Sequence, residues 1–163
     1  MQLKQELFTQ NAWNAILSAK VKCEEQFNQY IETEHLFLSL LEGNELAKRI
    51  IEKSNGSINK IIKSLNSFLE LQPKLNKRPE EVFVGKSLEK TIDEAIEIKS
   101  SFMDEFIAIE HIIIGLLKDS RCCKKILQDK EVYEDNLLKV VNGENPVSEI
   151  SNEISGLIAG IKG

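Results

Sequence analysis

Two pairs of acid–base residues stand out in the sequence, Glu34-His35 and Glu110-His111. A carboxylate beside an imidazole can serve general acid–base catalysis if both groups converge on one reacting atom. Each pair also stands at the start of an apolar run, where a glutamate in the first turn of a helix gains about 0.3–1 kcal/mol from the helix dipole. Three interpretations stay open: a helix-start motif that bonds to nearby backbone, a binding site for a cationic ligand or partner loop, and a catalytic pair.

The other reactive motifs offer less chemistry. Gly85-Lys86-Ser87 matches the end of a phosphate-binding loop, but that loop needs a glycine five residues earlier, where this chain has Glu80. Cys122-Cys123 could bridge only with strain, and with Cys23 the cysteine count is odd, which is untypical of a disulfide framework. Neither histidine lies near a cysteine in sequence, which argues against zinc. We expect no catalytic group, cofactor or metal in this chain.

Composition narrows the class of protein. The 163 residues carry a formal net charge of −5, and 42% of them are hydrophobic, which is typical of a globular domain. The acidic balance argues against a nucleic-acid platform. There is no run of about 18 apolar residues for a membrane span, and the first residues lack the apolar core of a signal peptide. We expect a reducing compartment and no membrane partner.

The two Glu-His pairs belong to an internal repeat. Residues 31–36, Ile-Glu-Thr-Glu-His-Leu, are matched 76 positions later by residues 107–112, Ile-Ala-Ile-Glu-His-Ile. The same offset, without a gap, pairs Ile16 with Ile92, Ala19 with Ala95, Tyr30 with Phe106, Leu40-Leu41 with Leu116-Leu117, and Ile50-Ile51 with Ile126-Leu127. One register held over about forty residues indicates a duplication.

Each copy predicts four helices. Apolar residues recur at steps of three and four between Phe8 and Phe27, as on one face of a long helix, and again from Leu88 through Ile92 to Phe102 and Met103. The last helix is predicted over residues 131–142. A left-handed C-terminus is expected at Gly43-Asn44. Candidate N-caps are Thr9, Thr33, Ser57, Ser87 and Ser120.

The predicted fold is therefore all-α, with two pseudo-symmetric four-helix repeats that form one globular domain. The first repeat covers about residues 8–70, and the second covers about 85–144. Between them lies a connector over 71–84 that contains two of the three prolines. We place the domain at 1–146 and interpret 147–163 as a linker or tail.

Four segments carry a family resemblance. They are Phe8-Thr9-x-x-Ala12-Trp13, Ile31-x-Thr33-Glu34-His35-Leu36, the connector with Val82-Phe83-Val84-Gly85-x-Ser87-Leu88, and Asp104-Glu105-Phe106-Ile107-x-Ile109-Glu110-His111. In this order, over residues 7–144, the chain resembles the N-terminal domain of Clp-type AAA+ chaperones, and within them the ClpB disaggregase branch. The resemblance implies an all-α double repeat that sits on a hexameric ATPase ring and engages unfolded or aggregated polypeptide, or adaptors. ATP would bind only in modules outside this chain.

The resemblance also implies site residues. Thr9, Asp104 and Glu110 match positions that support substrate handling in ClpB-type members. An apolar groove that takes extended hydrophobic segments would include Ile92 and His111. The implied location is the cytoplasm, or the stroma of a plastid-type organelle if a transit peptide has been removed.

Two alternatives accompany this interpretation. In ClpC-type members the glutamates that match Glu34 and Glu110 bind adaptors or phosphoarginine on tagged substrates. Ile109 replaces the threonine of that motif here, so phosphoarginine ranks below apolar segments. The chain could also be a free-standing accessory subunit of a Clp complex.

Overall fold

Each copy of the repeat folds into four α-helices in the computed structural model, which describes residues 2–151. The first copy contains α1 (Gln10–Glu25), α2 (Thr33–Gly43), α3 (Glu45–Lys53) and α4 (Ile58–Glu70). The second contains α5 (Lys86–Ser101), α6 (Ile109–Leu117), α7 (Cys123–Asp129) and α8 (Glu134–Asn142). A 3-10 turn at Gln5–Leu7 and two short strands, β1 (Tyr30–Ile31) and β2 (Phe83–Val84), complete the described elements. The predicted all-α double repeat is confirmed.

The duplication extends to unusual backbone angles. Among residues 2–151, the non-glycine residues with positive φ form two pairs 76 positions apart: Phe27 (58°) with Met103 (61°), and Asn55 (69°) with Glu131 (62°). Positive φ is uncommon outside glycine. Each residue follows a helix, as a left-handed C-terminal residue does. The two copies therefore share the same helix endings although their side chains differ.

The copies exchange their short strands. β1 in the first copy pairs in parallel with β2 at the start of the second, with Ile31 opposite Val84. The reciprocal bridge joins Phe8, at the start of the first copy, to Ile107 in the second. Phe8 is equivalent to Val84, and Ile31 is equivalent to Ile107. The segment that leads into the first helix of each copy therefore pairs with the loop between the first two helices of the other copy. This exchange joins the repeats into one unit.

The core lies around α2 and α6. All nine residues of α6 are buried, as are the nine residues 33–41 of α2. A helix that is apolar on all sides has to be enclosed by others. Here α1 covers α2, and α5 covers α6. The described residues contain no helix long and apolar enough to cross a membrane.

Tertiary contacts override several predicted N-caps. Thr9 does cap α1, since its Oγ1 accepts the Ala12 N–H at 3.1 Å. Thr33 is instead the first residue of α2, and its hydroxyl donates to Asp119 Oδ2 at 2.7 Å. Ser87 is the second residue of α5, and its hydroxyl donates to Glu32 Oε1 at 2.9 Å. Both hydroxyls bind a carboxylate of another element, which a local pattern cannot reveal.

Other helix ends also differ from the prediction. Ser57 holds the N-cap position of α4 without a side-chain bond to it. The first amide of α7, on Cys123, donates to Asp119 Oδ2 at 3.0 Å, so the predicted cap Ser120 is wrong. Asn44 ends α2 with φ −119°, not in the left-handed region. Met103, predicted on the inner face of α5, is 91% exposed, because it follows the helix in the left-handed conformation.

The buried part of the chain continues past the expected boundary at residue 146. Val147, Ser148 and Glu149 are each at most 7% exposed, and the Val147 N–H donates to Val140 O at 2.8 Å. We call residues 147–151 the C-terminal strap. The remainder of the predicted tail, 152–163, lies outside the described residues.

Candidate functional site

Two equivalent pockets lie where the loop between the first two helices of each copy meets the chain that follows its fourth helix. The Glu34 pocket, of about 260 Å³, is lined by Asn28, Gln29, Tyr30, Glu32, Glu34, His35, Arg121 and residues 72–75. The Glu110 pocket, of about 330 Å³, is lined by Phe102, Asp104, Glu110, residues 141–142 and 146, and three residues of the strap. Asn28 and Asp104 are equivalent, as are Glu34 and Glu110, so the duplication has produced two related cavities.

Both histidines act as struts inside their own loops. His35 Nδ1 accepts the Glu32 N–H at 2.9 Å, so its ring proton is on Nε2, which donates to Asn28 Oδ1 at 2.8 Å. His111 does the same with the Ala108 N–H and Asp104 Oδ2, both at 2.8 Å. Both rings are at most 1% exposed.

Burial lowers the pKa of His35 to about 4. Since both nitrogens of each ring are bonded to the protein, the geometry supports the helix-start interpretation of the Glu-His pairs. It offers no imidazole to a reacting group.

Glu34 forms an ion pair that joins the two copies. Its two oxygens accept from the guanidinium of Arg121 at 2.7 and 3.0 Å. Glu34 is 1% exposed, whereas the Arg121 side chain is 37% exposed. Arg121 also donates to Gln72 Oε1 and lies 5.1 Å from the ring centre of Phe68. The hydrogen bond to Glu34 raises the pKa of Arg121, so this buried carboxylate has a fixed charged partner.

Glu110 accepts backbone amides of the strap instead. Its oxygens lie 2.9 Å from the N–H of Glu149 and 3.4 Å from that of Ile150. The carboxylate of Glu149 in turn accepts from the Ile109 N–H and from the Thr9 hydroxyl, both at 3.0 Å. Burial raises the pKa of Glu149. The strap is therefore docked from both sides. Glu110 of the domain accepts from strap amides, and Glu149 of the strap accepts from donors of the domain.

Most of the predicted site residues come together. Thr9 and Glu110 are both bonded to Glu149, and Asp104 holds the ring of His111 beside the Glu110 pocket. Ile92 does not join them. Ile92 is 0% exposed in the core, which contradicts its predicted place in a surface groove. His111 is enclosed too and offers no surface to a docked segment.

The loop that contributes Asp104 to the Glu110 pocket and the equivalent loop that contributes Asn28 to the Glu34 pocket both expose apolar side chains at equivalent positions. At the Glu110 pocket these are Met103 and Phe106, at 91% and 41% exposure. At the Glu34 pocket they are Phe27 and Tyr30, at 37% and 54%. We call each pair the apolar rim of its pocket. Sequence reasoning missed Met103, because helical spacing alone placed it inward.

Cys122 and Cys123 form a separate buried cluster with Asp119. Possible ligand atoms of Asp119, Cys122 and Cys123 lie within 4.8 Å of one another. Asp119 Oδ2 already accepts from Thr33 and from the Cys123 N–H, and burial raises the pKa of the Cys123 thiol. A metal needs the thiolate, so this arrangement fits a packed helix start better than a metal site.

Comparisons with known proteins point to one family. Residues 7–130 match the family described as the Clp repeat (R) N-terminal domain. The chain is 50% identical over 141 residues to the chaperone protein ClpB of Prochlorococcus marinus, which covers 86% of this chain and 16% of that protein. The chain thus spans about one sixth of the length of this relative.

Solved structures agree on the fold. The Hsp104 N-terminal domain from Candida albicans superposes with a TM-score of 0.73 at 20% identity, covering 84% of this chain and 93% of the other. A ClpV N-domain in complex with a VipB peptide superposes with a TM-score of 0.66 at 15% identity, covering 84% and 88%. At these identities the likeness concerns the fold alone.

Proposed function

Because the chain belongs to the family of Clp repeat N-terminal domains, we propose that it is the substrate- or adaptor-binding N-domain of a ClpB-like disaggregase. It engages unfolded or aggregated polypeptide weakly and presents it to an ATP-driven unfolding ring. The chain is a binding domain without catalysis, and ATP is hydrolysed by modules of a hexameric parent in the cytoplasm or a plastid stroma. A neighbour of the same fold, a ClpV N-domain, is known in complex with a peptide, which supports a peptide-binding role.

The observation that carries the proposal is the apolar rim of the Glu110 pocket. Met103 and Phe106 flank Asp104, which lines that pocket, and both expose a large apolar side chain. Burying such a side chain against a client contributes about 1.5–3 kcal/mol. Ordering an extended segment offsets much of that gain. Affinities in the millimolar to high micromolar range follow, and several domains on one ring would raise the effective affinity.

The state of the two buried glutamates favours apolar segments over phosphoarginine. Glu34 already holds the guanidinium of Arg121, and Glu110 already accepts two strap amides. A guanidinium ligand would have to displace one of these partners before it could bind. An apolar segment laid across Met103 and Phe106 displaces nothing.

The test is a titration of the chain with a permanently unfolded client, followed through backbone amide chemical shifts. We expect shifts to cluster at Met103, Asp104 and Phe106, and the double substitution Met103→Ser/Phe106→Ser to weaken binding at least about tenfold, since two buried contacts are lost. The matched control is Leu17→Ser/Val21→Ser on α1, whose side chains are 45% and 46% exposed. The proposal is wrong if the control weakens binding as much as the rim variant does, or if shifts scatter over the surface.

A further inference from the structure

The two copies obtain the carboxylate at the start of their second helix from different places. In the first copy Glu32, directly before α2, accepts the N–H and hydroxyl of Ser87 at 3.2 and 2.9 Å. Its carboxylate lies so close to Gly85 that a Cβ there would collide with it. The residue equivalent to Glu32 is Ala108, which has no carboxylate. The second copy therefore has no carboxylate of its own at this position.

Glu149 supplies the missing carboxylate from outside the repeat. It accepts from the Ile109 N–H, from the Thr9 hydroxyl at the position equivalent to Gly85, and from Asn11 Nδ2 at 3.3 Å. Asn11 is equivalent to Ser87, so the carboxylate binds the corresponding first turn of the other copy. These three donors form the carboxylate site, and all belong to the body of the domain.

The strap resembles a short peptide ligand. The Ser148 hydroxyl accepts the Ser151 N–H at 3.0 Å, as a helix N-cap does, and residues 149–151 are helical. Glu149 is thus an acidic residue in the first turn of a helix. The backbone amides of that turn on Glu149 and Ile150 donate to the carboxylate of Glu110.

The strap is joined to the domain differently from Glu32. Glu32 is fixed because it directly precedes α2, whereas Glu149 follows the non-helical residues 143–148 after α8. Its burial raises the pKa of the carboxylate, and the nearby charge of Glu110 adds to this. Both effects oppose docking of the charged strap. The Glu110 pocket lies beside it.

We propose that the carboxylate site, together with Glu110, is a docking site for a partner segment that carries an acidic residue in the first turn of a helix, and that the strap is its intrachain competitor. This names the chemistry of a partner for the proposed binding domain and so rests on the proposed function. The apparent affinity of a partner equals its affinity for the open site multiplied by the fraction of time that the site is open. If the strap is docked about 90% of the time, a partner binds about tenfold more weakly than to the open site.

The probe for the test is a blocked, fluorescently labelled peptide with the sequence of residues 146–151, Pro-Val-Ser-Glu-Ile-Ser. A second probe has glutamine in place of glutamate. Binding to the full 163-residue chain and to its Glu149→Ala variant is measured by fluorescence anisotropy and by the amide shift of Ile109. We expect the glutamate probe to bind the variant about tenfold more tightly than the unaltered chain, and the glutamine probe to bind neither.

Two further variants locate the binding. Asn11→Ala, added to Glu149→Ala, removes one donor of the carboxylate site on the exposed start of α1 and should lower the affinity of the glutamate probe several-fold. Asn14→Ala, one turn further on the exposed side of α1, is the matched control and should leave it unchanged. Circular dichroism melting confirms that each variant is folded.

The outcomes separate this inference from the proposed function. Equal binding of the glutamate probe to both chains, or no binding to folded Glu149→Ala, overturns the inference. If unfolded client still shifts the apolar rim in that case, the proposed function stands alone. If the probe binds at Ile109 while no client binds at either rim, the docking site stands and the proposed function fails.

Discussion

Replacing Arg121 by alanine tests how much the ion pair at the Glu34 pocket contributes to folding. Removing the guanidinium leaves the 1% exposed carboxylate of Glu34 without its two donors. Breaking a fully buried pair costs about 3–5 kcal/mol. Arg121 is 37% exposed, so water replaces part of its contact, and we expect a loss of about 2–3 kcal/mol. For a chain of this size that lowers Tm by about 4–12 °C.

A double-mutant cycle separates the pair from the packing of Arg121 on Phe68. Free energies of unfolding in urea are measured for the unaltered chain, Arg121→Ala, Glu34→Gln and the double variant. The coupling energy should be about 1–3 kcal/mol. Arg121→Lys keeps the charge but not the two-pronged geometry, so it should fall between the unaltered chain and Arg121→Ala. A coupling energy below about 0.5 kcal/mol would mean that the pair holds nothing together.

Two further predictions concern the histidine strut and the first cap. Burial lowers the pKa of His35 to about 4 from 6.5, so protonation of His35 favours the unfolded state. The stability that neutral His35 contributes is fully present above pH 6.5. It is lost as the pH falls toward 4, by about 3 kcal/mol. The free energy of unfolding should therefore drop less over this range in His35→Gln than in the unaltered chain, and parallel profiles would contradict the assignment. Thr9→Val removes both the α1 cap and a donor to Glu149 and should lose about 1–2 kcal/mol. Thr9→Ser keeps both bonds, and equal melting temperatures for the two variants would show that the hydroxyl is dispensable.

The fold could be predicted from the sequence because the apolar residues of the two copies recur at one constant spacing. Phe37, Leu40 and their equivalents repeat without a gap, and such residues become the enclosed helices α2 and α6. Helix starts were harder to predict. Thr33 and Ser87 have the residue types of caps, yet their hydroxyls bind Asp119 and Glu32, which are 86 and 55 positions away.

The site was only partly accessible for the same reason. Thr9, Asp104 and Glu110 were predicted and do surround one region, but what joins Thr9 to Glu110 is Glu149, 140 positions from Thr9. Nothing local distinguishes Glu149 from the other acidic residues of a polar tail. Arg121 likewise meets Glu34 across 87 positions. Ile92 was assigned to a groove by the family resemblance, whereas the helical spacing that places it on the inner face of α5 agrees with its burial.

One substitution within the duplication explains why the two pockets are filled differently. The residue equivalent to Glu149 is Pro73, which lines the Glu34 pocket as the strap lines the Glu110 pocket. Proline has no N–H to donate, so the connector cannot give Glu34 the first of the two amide bonds that the strap gives Glu110. Glu34 is held by Arg121 instead. The connector is fixed on both sides, by the bond from Leu75 N to Phe27 O at 2.8 Å and by β2. We therefore expect an exchangeable occupant at Glu110 and not at Glu34, and expect the copies to differ in function although their backbones repeat.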